Sequence, residues 1–443
     1  MARILITTQP MAGHLRPLLP VARTLTDAGH DVLWYTGAGQ AELVERSGAR
    51  ALAYPAPLEL DQSLLDGSAG PRRRGGLKGL EQDIVEVFVR PVAGHVAHLD
   101  ALLRDAAAAG APVDAVLAES GFVAGPFVAE RHGLPSAVVC VTPLGLSSDD
   151  VAPFGLGLRP ARSAVGRARN RSLNWLVRSV LFADAQREAE QVRAGLGMPP
   201  LPGYFMDWTA QVADRYLAPT VPELEYPRGD LPATVEFVGA ILPRAAGGAA
   251  LPAWWGDVCE ARAAGRPVVV VTQGTVATDP ANLVLPAVQA LAGSDALVVA
   301  TTYGREPDDV LPPADRPGNV RAAAFVPFAD LLPLADVLVT NGGFGGVQMA
   351  LAHGVPVVTA GTTEDKAEVG ARISWAGVGV ALRTDTPTPG QIAGAVHEVL
   401  GDPAISVAAR RLADCYARYD GAARVAEVVA DLVRARVGTV APL

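Results

Sequence analysis

Cysteine is nearly missing from this chain, with three in 443 residues: Cys140, Cys259 and Cys415. They stand too far apart for a disulfide framework or a zinc site, so reduced thiols in a cytoplasmic protein are the expectation. Positive charge is also short. The net charge is −9, which removes any global electrostatic case for nucleic acid. The cluster Arg72, Arg73, Arg74 and Lys78 sits among glycines and reads as a solvated loop. No apolar run reaches the roughly 20 residues of a membrane span. Met1 leads straight into the strand Arg3 to Thr7, without the apolar region and cleavage site of a signal peptide. No strand is followed by G-x-G-x-x-G with an acid about 20 residues on, which argues against a dehydrogenase. No G-x-x-x-x-G-K-[ST] loop is present, and no His/Asp/Glu group has metal-ligand spacing.

What is present is a long α/β pattern. Half of the residues are hydrophobic, and the length suffices for two domains with separate cores. Short apolar strands (Ile4 to Thr7, Asp31 to Thr36, Arg50 to Tyr54, Ala115 to Ala118, Ser136 to Val141) alternate with helical stretches (Pro17 to Asp27, Gln40 to Ser47, Leu80 to Ala108, Phe122 to His132). Such alternation predicts a doubly wound parallel sheet. Tyr216 to Leu217 reads as the last strand of the first half. Proline-rich, acidic Pro219 to Pro232 reads as a hinge. The expected division is a first domain at 1–218, a linker at 219–235 and a second domain at 236–443. The second half repeats the pattern with strands at Pro267 to Thr272, Ala296 to Thr301, Val320 to Ala323, Val337 to Val339, Val355 to Thr359 and Gly379 to Leu382. Helices Pro389 to Leu400 and Ile405 to Val437 close the chain. Two such sheets make two Rossmann-like lobes facing a cleft, with ligands at the carboxyl ends of the strands.

Two stretches place chemistry at those ends. After Val337 to Val339 come Thr340, Asn341 and the glycines Gly342, Gly343, Gly345 and Gly346, then a helix. A strand, a glycine turn and a helix start present free N–H groups and a positive dipole end, suited to a phosphate or diphosphate. A glycine turn serving packing alone is the other reading. In the first half, His14 lies in the turn after the first strand, where an imidazole can act as general base if a carboxylate orients it. Glu119 follows the strand Ala115 to Ala118 in the same lobe. A structural histidine and a solvated loop acid are the competing readings.

The segment GHLRPLLPVARTLTDAGHDV, Gly13 to Val32, resembles the N-terminal G-H-x-x-P-x-x-x-x-A-x-x-L-x-x-x-G-H-x-V pattern of the UDP-glycosyltransferase superfamily. Phe325 to Lys366 resembles that family's donor signature over its whole length. Val268 to Thr275 sits where the family has a strand ending in Gly-Ser. The resemblance implies the GT-B fold: two Rossmann-like doubly wound parallel-sheet domains, the C-terminal one holding a nucleotide sugar and the N-terminal one an acceptor. It implies that His14 deprotonates an acceptor hydroxyl for in-line, inverting attack on the sugar, and that Glu119, in place of an Asp, orients it. Phe325 matches a base-stacking aromatic and the Val326 backbone reads the base edge. Thr275 and Asn341, with the turn Gly343, Phe344, Gly345 and Gly346, match diphosphate-contacting positions, and Gly13 joins the donor-binding set. Glu364, Asp365 and Lys366 form the loop matching the family's sugar-holding acid and its neighbour.

This sequence also departs from the family's pattern. Asn341 replaces a His, Phe328 a Gln, Gly346 a Ser or Thr, and Lys366 a Gln; Met349 stands where a Glu grips both ribose hydroxyls. A deoxyribose donor lacks the 2′-hydroxyl, so a dTDP-sugar is compatible, as is a UDP-sugar held by stacking and phosphate contacts. The nucleotide sugar is a co-substrate, with no other cofactor and no metal implied, since a helix start and backbone donors can stabilise a leaving diphosphate. For the acceptor, Phe88, Phe154, Trp175, Phe205, Met206 and Trp208 suggest an apolar pocket for a small hydrophobic molecule. The expected protein is a soluble, cytoplasmic monomer or homodimer with no nucleic-acid partner. A non-catalytic accessory protein on the same fold, or a nucleotide-sugar epimerase, stands as the alternative.

Overall fold

The computed structural model describes residues 1–60, 81–82, 84–243, 251–274 and 279–439. Two parallel sheets organise them. The first has the order β3-β2-β1-β4-β5-β6-β7, built from β1 (Arg3–Thr7), β2 (Asp31–Thr36), β3 (Arg50–Ala53), β4 (Ala115–Glu119), β5 (Ser136–Val139), β6 (Arg215–Ala218) and β7 (Val235–Phe237). The second has the order β10-β9-β8-β11-β12-β13, from β8 (Val268–Thr272), β9 (Leu297–Thr301), β10 (Val320–Ala323), β11 (Val337–Thr340), β12 (Val357–Thr359) and β13 (Gly379–Ala381). Central strands such as β8, VVVVT, are buried along their whole length, because helices cover both faces. Each fully buried Val contributes about 1.5–3 kcal/mol. Valines of β8 accordingly divide between two clusters, Val268 and Val270 on one face, Val269 and Val271 on the other.

Helices return the chain between strands. Those used below are α1 (Ala12–Leu15), α2 (Leu19–Asp27), α3 (Val92–Ala108), α4 (Ala124–His132), α5 (Ala164–Leu176), α6 (Ala183–Gly195), α7 (Phe344–Ala352), α8 (Lys366–Ala376), α9 (Pro389–Gly401), α10 (Pro403–Tyr416) and α11 (Gly421–Thr439). Their ends follow local chemistry. Thr388 and Gln391 form a capping box on α9, and Gly133 and Gly377, both left-handed, close α4 and α8. Among the described residues no helix is long and apolar enough to cross a membrane.

Three features differ from the sequence reading. The first sheet does not end at Tyr216 to Leu217: β7 pairs with β6, Tyr216 opposite Val235, so that sheet runs through the segment read as linker and on to Phe237. The closing helix from Ile405 is two helices, α10 and α11. They break where the chain crosses its own connection between lobes. A Cβ on Gly421 would lie 2.6 Å from the Ala240 carbonyl oxygen, and one on Gly239 (φ +77°) 2.1 Å from Tyr419 Cβ. Finally, α11 leaves its own half and packs Val425, Val428 and Val429 with Ile4, Leu18 and Leu25 of the first lobe.

Candidate active site

Parallel pairing of β1 with β4 sets Thr7 opposite Ala118, so the residues that follow each strand emerge side by side. One is Glu119, fully buried. The other is the turn that starts α1 and carries His14. Nδ1 of His14 lies 3.0 Å from Glu119 Oε2, at an angle too oblique for a well-aligned hydrogen bond. The carboxylate is held by two backbone donors: Gln9 N–H on Oε1 at 3.1 Å and Gly121 N–H on Oε2 at 2.6 Å. A third bond, Gln9 Nε2 to the Gly121 carbonyl, fastens the two loops together. A Cβ on Gly121 would crowd the pair, 3.1 Å from His14 Cε1 and 3.2 Å from both Glu119 oxygens. The extra methylene of Glu relative to Asp therefore still leaves the acid in contact with the imidazole. Gln9 and Gly121 were not singled out in the sequence. The Ser-Gly pair directly after β4 was the available signal.

Electrostatics at His14 couple the two lobes. Burial works against its charged form, but Glu119 outweighs that, helped by Asp365 and Glu364 across the cleft, and the pKa is raised. Reciprocally, the Asp365 carboxyl is pushed up to about 6 by burial and by Glu364, with Lys366 and His14 pulling it down. Asp365 caps α8 and Lys366 is its first residue. The Lys366 ammonium is buried and paired, 2.8 Å from Glu364 Oε2 and 3.2 Å from Thr363 Oγ1. Glu364 itself takes the left-handed conformation, φ +56°, a strained choice for a non-glycine residue. Gly361 allows Lys366 to fold back: a Cβ there would meet its Cδ at 2.7 Å.

Past β11, Asn341 is buried and its Oδ1 accepts from Gly343 N–H at 3.4 Å. Gly343 stands before α7 and no side chain caps that helix. Its first amides, at Phe344, Gly345 and Gly346, therefore have no side-chain cap, the arrangement that suits an anion. From the adjoining strand β8, Gly274 (φ +79°) leaves room for Asn341, whose Oδ1 would lie 3.0 Å from a Cβ. Thr275 lies outside the described residues. At the end of β10 Phe325 is 65% exposed, while Val326 is buried in the core. Met349 packs its side chain against that same core. Beside Phe325, the Tyr303 hydroxyl accepts a 2.9 Å hydrogen bond from Arg16 of the opposite lobe, a cross-cleft contact that periodicity in the sequence could not reveal.

The expected acceptor-side set is not one pocket. Phe205 and Trp208 are core residues, and Trp175 is 63% exposed on the outside of α5. Phe88 does stand at the site, its ring centroid 6.4 Å from that of His14.

Residues 286–434 match the family described as erythromycin biosynthesis protein CIII-like, C-terminal domain. Over 434 residues, 98% of this chain and 100% of the relative, the sequence is 42% identical to 4'-demethylrebeccamycin synthase of Lentzea aerocolonigenes. Among solved structures, the fold resembles the kitacinnamycin glycosyltransferase, with TM-score 0.73, 22% identity and coverage of 98% of this chain and 99% of that one. It also resembles SsfS6 of Streptomyces sp. SF2575, solved with thymidine diphosphate, with TM-score 0.66, 21% identity and coverage of 97% and 100%. With a GT-B fold and a relative this similar along its whole length, the chain belongs to the bacterial natural-product UDP-glycosyltransferase family and is a glycosyltransferase.

Proposed function

We propose that the protein moves a sugar from a UDP- or dTDP-sugar to a hydroxyl of a small hydrophobic acceptor, with inversion at the anomeric carbon. The observation that carries this reading is the His14–Glu119 contact at the cleft, with the acid buried and held by two backbone N–H groups. With Nδ1 facing Glu119, Nε2 of His14 takes the acceptor proton. The acceptor oxygen forms its bond to the anomeric carbon as the bond from that carbon to the diphosphate oxygen breaks. The electron pair leaves with the diphosphate, whose charge is met by the open first turn of α7. Asp365 and the Lys366–Glu364 pair hold the sugar, and Phe325 stacks the base. Met349 in place of a ribose-gripping carboxylate favours the deoxyribose donor. The thymidine diphosphate bound to the structural relative is in keeping with that choice.

A thermal-shift screen of UDP- and dTDP-sugars tests the reading, because a ligand that binds only the folded chain raises its stability. A dTDP-sugar is expected to give the largest shift. Phe325→Ala should weaken nucleotide affinity about tenfold or more, from loss of base stacking. The product's anomeric configuration then reports inversion. Absence of any shift with every nucleotide sugar would favour the non-catalytic alternative.

Glu119→Gln separates orientation from charge. Glu119 raises the His14 pKa, and a general base works in its neutral form, so activity rises as pH climbs through that raised value. Gln keeps the shape and removes the charge. The maximal rate is expected to fall and the acidic limb of the pH–rate profile to move to lower pH, and an unmoved limb would remove Glu119 from this role.

A further inference from the structure

Helix α5 is amphipathic the wrong way round for a helix that only packs on its own lobe. Its buried residue is Asn170, whose amide bonds the Asp149 carbonyl at 3.1 Å, and one turn on Asn174 bonds the Ser148 carbonyl at 3.0 Å. Polar groups therefore hold the helix to the protein. Its outer side carries Val165 (81% exposed), Trp175 and Leu176, and Val180 (54% exposed) follows in the wider turn that continues it. Five of the thirteen large hydrophobic side chains exposed among the described residues fall between Leu156 and Val180. Scattered exposed apolar residues need no explanation, but a concentration of this kind marks an interaction surface.

The charge on this segment is equally one-sided. Between Asp150 and Asp184 there are six arginines and no acidic residue or lysine, in a chain of net charge −9. At 3.6 residues per turn, Val165, Ser172, Trp175 and Leu176 form the outward ridge, with Arg171 along one flank, Arg169 along the other and Arg167 turned toward the attached side. All three arginines are exposed. Among the described residues Arg169 bonds only the neighbouring Asn170 side chain, and Arg171 reaches Asp149 at no closer than 3.7 Å on an exposed surface. Long aliphatic stems let guanidinium groups beside an apolar ridge reach phosphates while the ridge sinks below them.

We propose that the outer face of α5 docks on an anionic membrane surface, with Val165, Trp175, Leu176 and Val180 entering the interface and Arg169 and Arg171 meeting lipid phosphates. A convex ridge with arginines on both flanks suits a planar, negatively charged, deformable surface. Symmetric pairing with a second copy would bring arginine against arginine. This surface lies on the acceptor lobe, where an apolar small molecule dissolved in a bilayer would be met.

Co-sedimentation of the full chain with phosphatidylcholine vesicles, with and without phosphatidylglycerol, tests the proposal. Binding is expected only to the anionic vesicles and should weaken as salt is raised. The double variant Arg169→Gln, Arg171→Gln should partition about thirtyfold more weakly, and Trp175→Ser with Val180→Ser about tenfold more weakly. Circular dichroism and thermal-shift response to nucleotide should be those of the parent, since these side chains are exposed. Leu400→Ser with Val407→Ser, exposed apolar positions elsewhere, should bind vesicles as the parent does. Equal binding to both vesicle types, no binding to either, or a dimer that Trp175→Ser dissolves would each overturn it.

Discussion

Alanine at position 14 is expected to lower the rate of sugar transfer by about two to four orders of magnitude, the usual worth of a positioned general base, while nucleotide affinity stays that of the parent. The asymmetry follows from where the groups sit. His14 belongs to the first lobe and faces the second only through charge. Phe325, Asn341 and the α7 amides, the proposed nucleotide contacts, all belong to the second sheet's edge. Folding should survive the change. Glu119 keeps both backbone donors, Gln9 and Gly121, so removing the imidazole does not strand an unpaired buried acid. Calorimetric titration with dTDP or UDP beside a single-turnover transfer assay reads the two effects separately. Turnover equal to the parent's would sink the role given to His14. Equal loss of binding and turnover would instead mean that the residue shapes the cleft.

Much of this architecture is local and so was visible in the sequence. Strand–helix alternation places β1, β4, β8 and β11 and the turns after them, because a run such as VVVVT buried on both faces advertises itself by composition. His14, Glu119 and the glycine turn follow from knowing which end of a parallel strand is the working end. What was illegible depends on partners far away in the chain. The three-residue strand β7 is set by its pairing with β6, not by any period of its own. The break before α11 exists because Gly421 crosses the Ala240 backbone. Trp175 and Trp208 look alike in composition, yet one is outside and the other in the core. None of these distinctions is encoded within a window of ten or twenty residues.

The strongest of the long-range contacts carries the second large effect. Arg372, on α8, is buried between Glu225 (2.6 Å) and Glu368 (2.8 Å), with Arg228 3.6 Å from the same Glu225 and the Tyr226 ring centroid 4.4 Å from the Arg372 guanidinium. Glu368 also accepts the N–H groups of Gly155 at 3.0 Å and Gly157 at 2.8 Å. Gly157 (φ +57°) lies so close that a Cβ would be 2.7 Å from the Ala367 carbonyl oxygen. Thus the helix that begins at Asp365 and Lys366 is clamped to a loop of the opposite lobe. Arg372→Met leaves two buried carboxylates short of their main counter-charge and is expected to cost about 3–5 kcal/mol of stability. The pH dependence identifies the cause. Burial alone would raise the Glu225 pKa, but Arg372 and then Arg228 hold it below its ordinary value. A carboxyl depressed in the folded state adds stability above its unfolded pKa and loses it as pH falls through the folded one. In the variant Glu225 loses the arginine that holds its pKa down and protonates more readily, which relieves the stranded charge. The difference in melting temperature between parent and variant should therefore be greatest near neutrality and shrink on acidification below about pH 4. A difference that stays constant with pH would assign the loss to packing of the arginine stem and Tyr226, and would remove the ion cluster as the clamp between α8 and the opposite lobe.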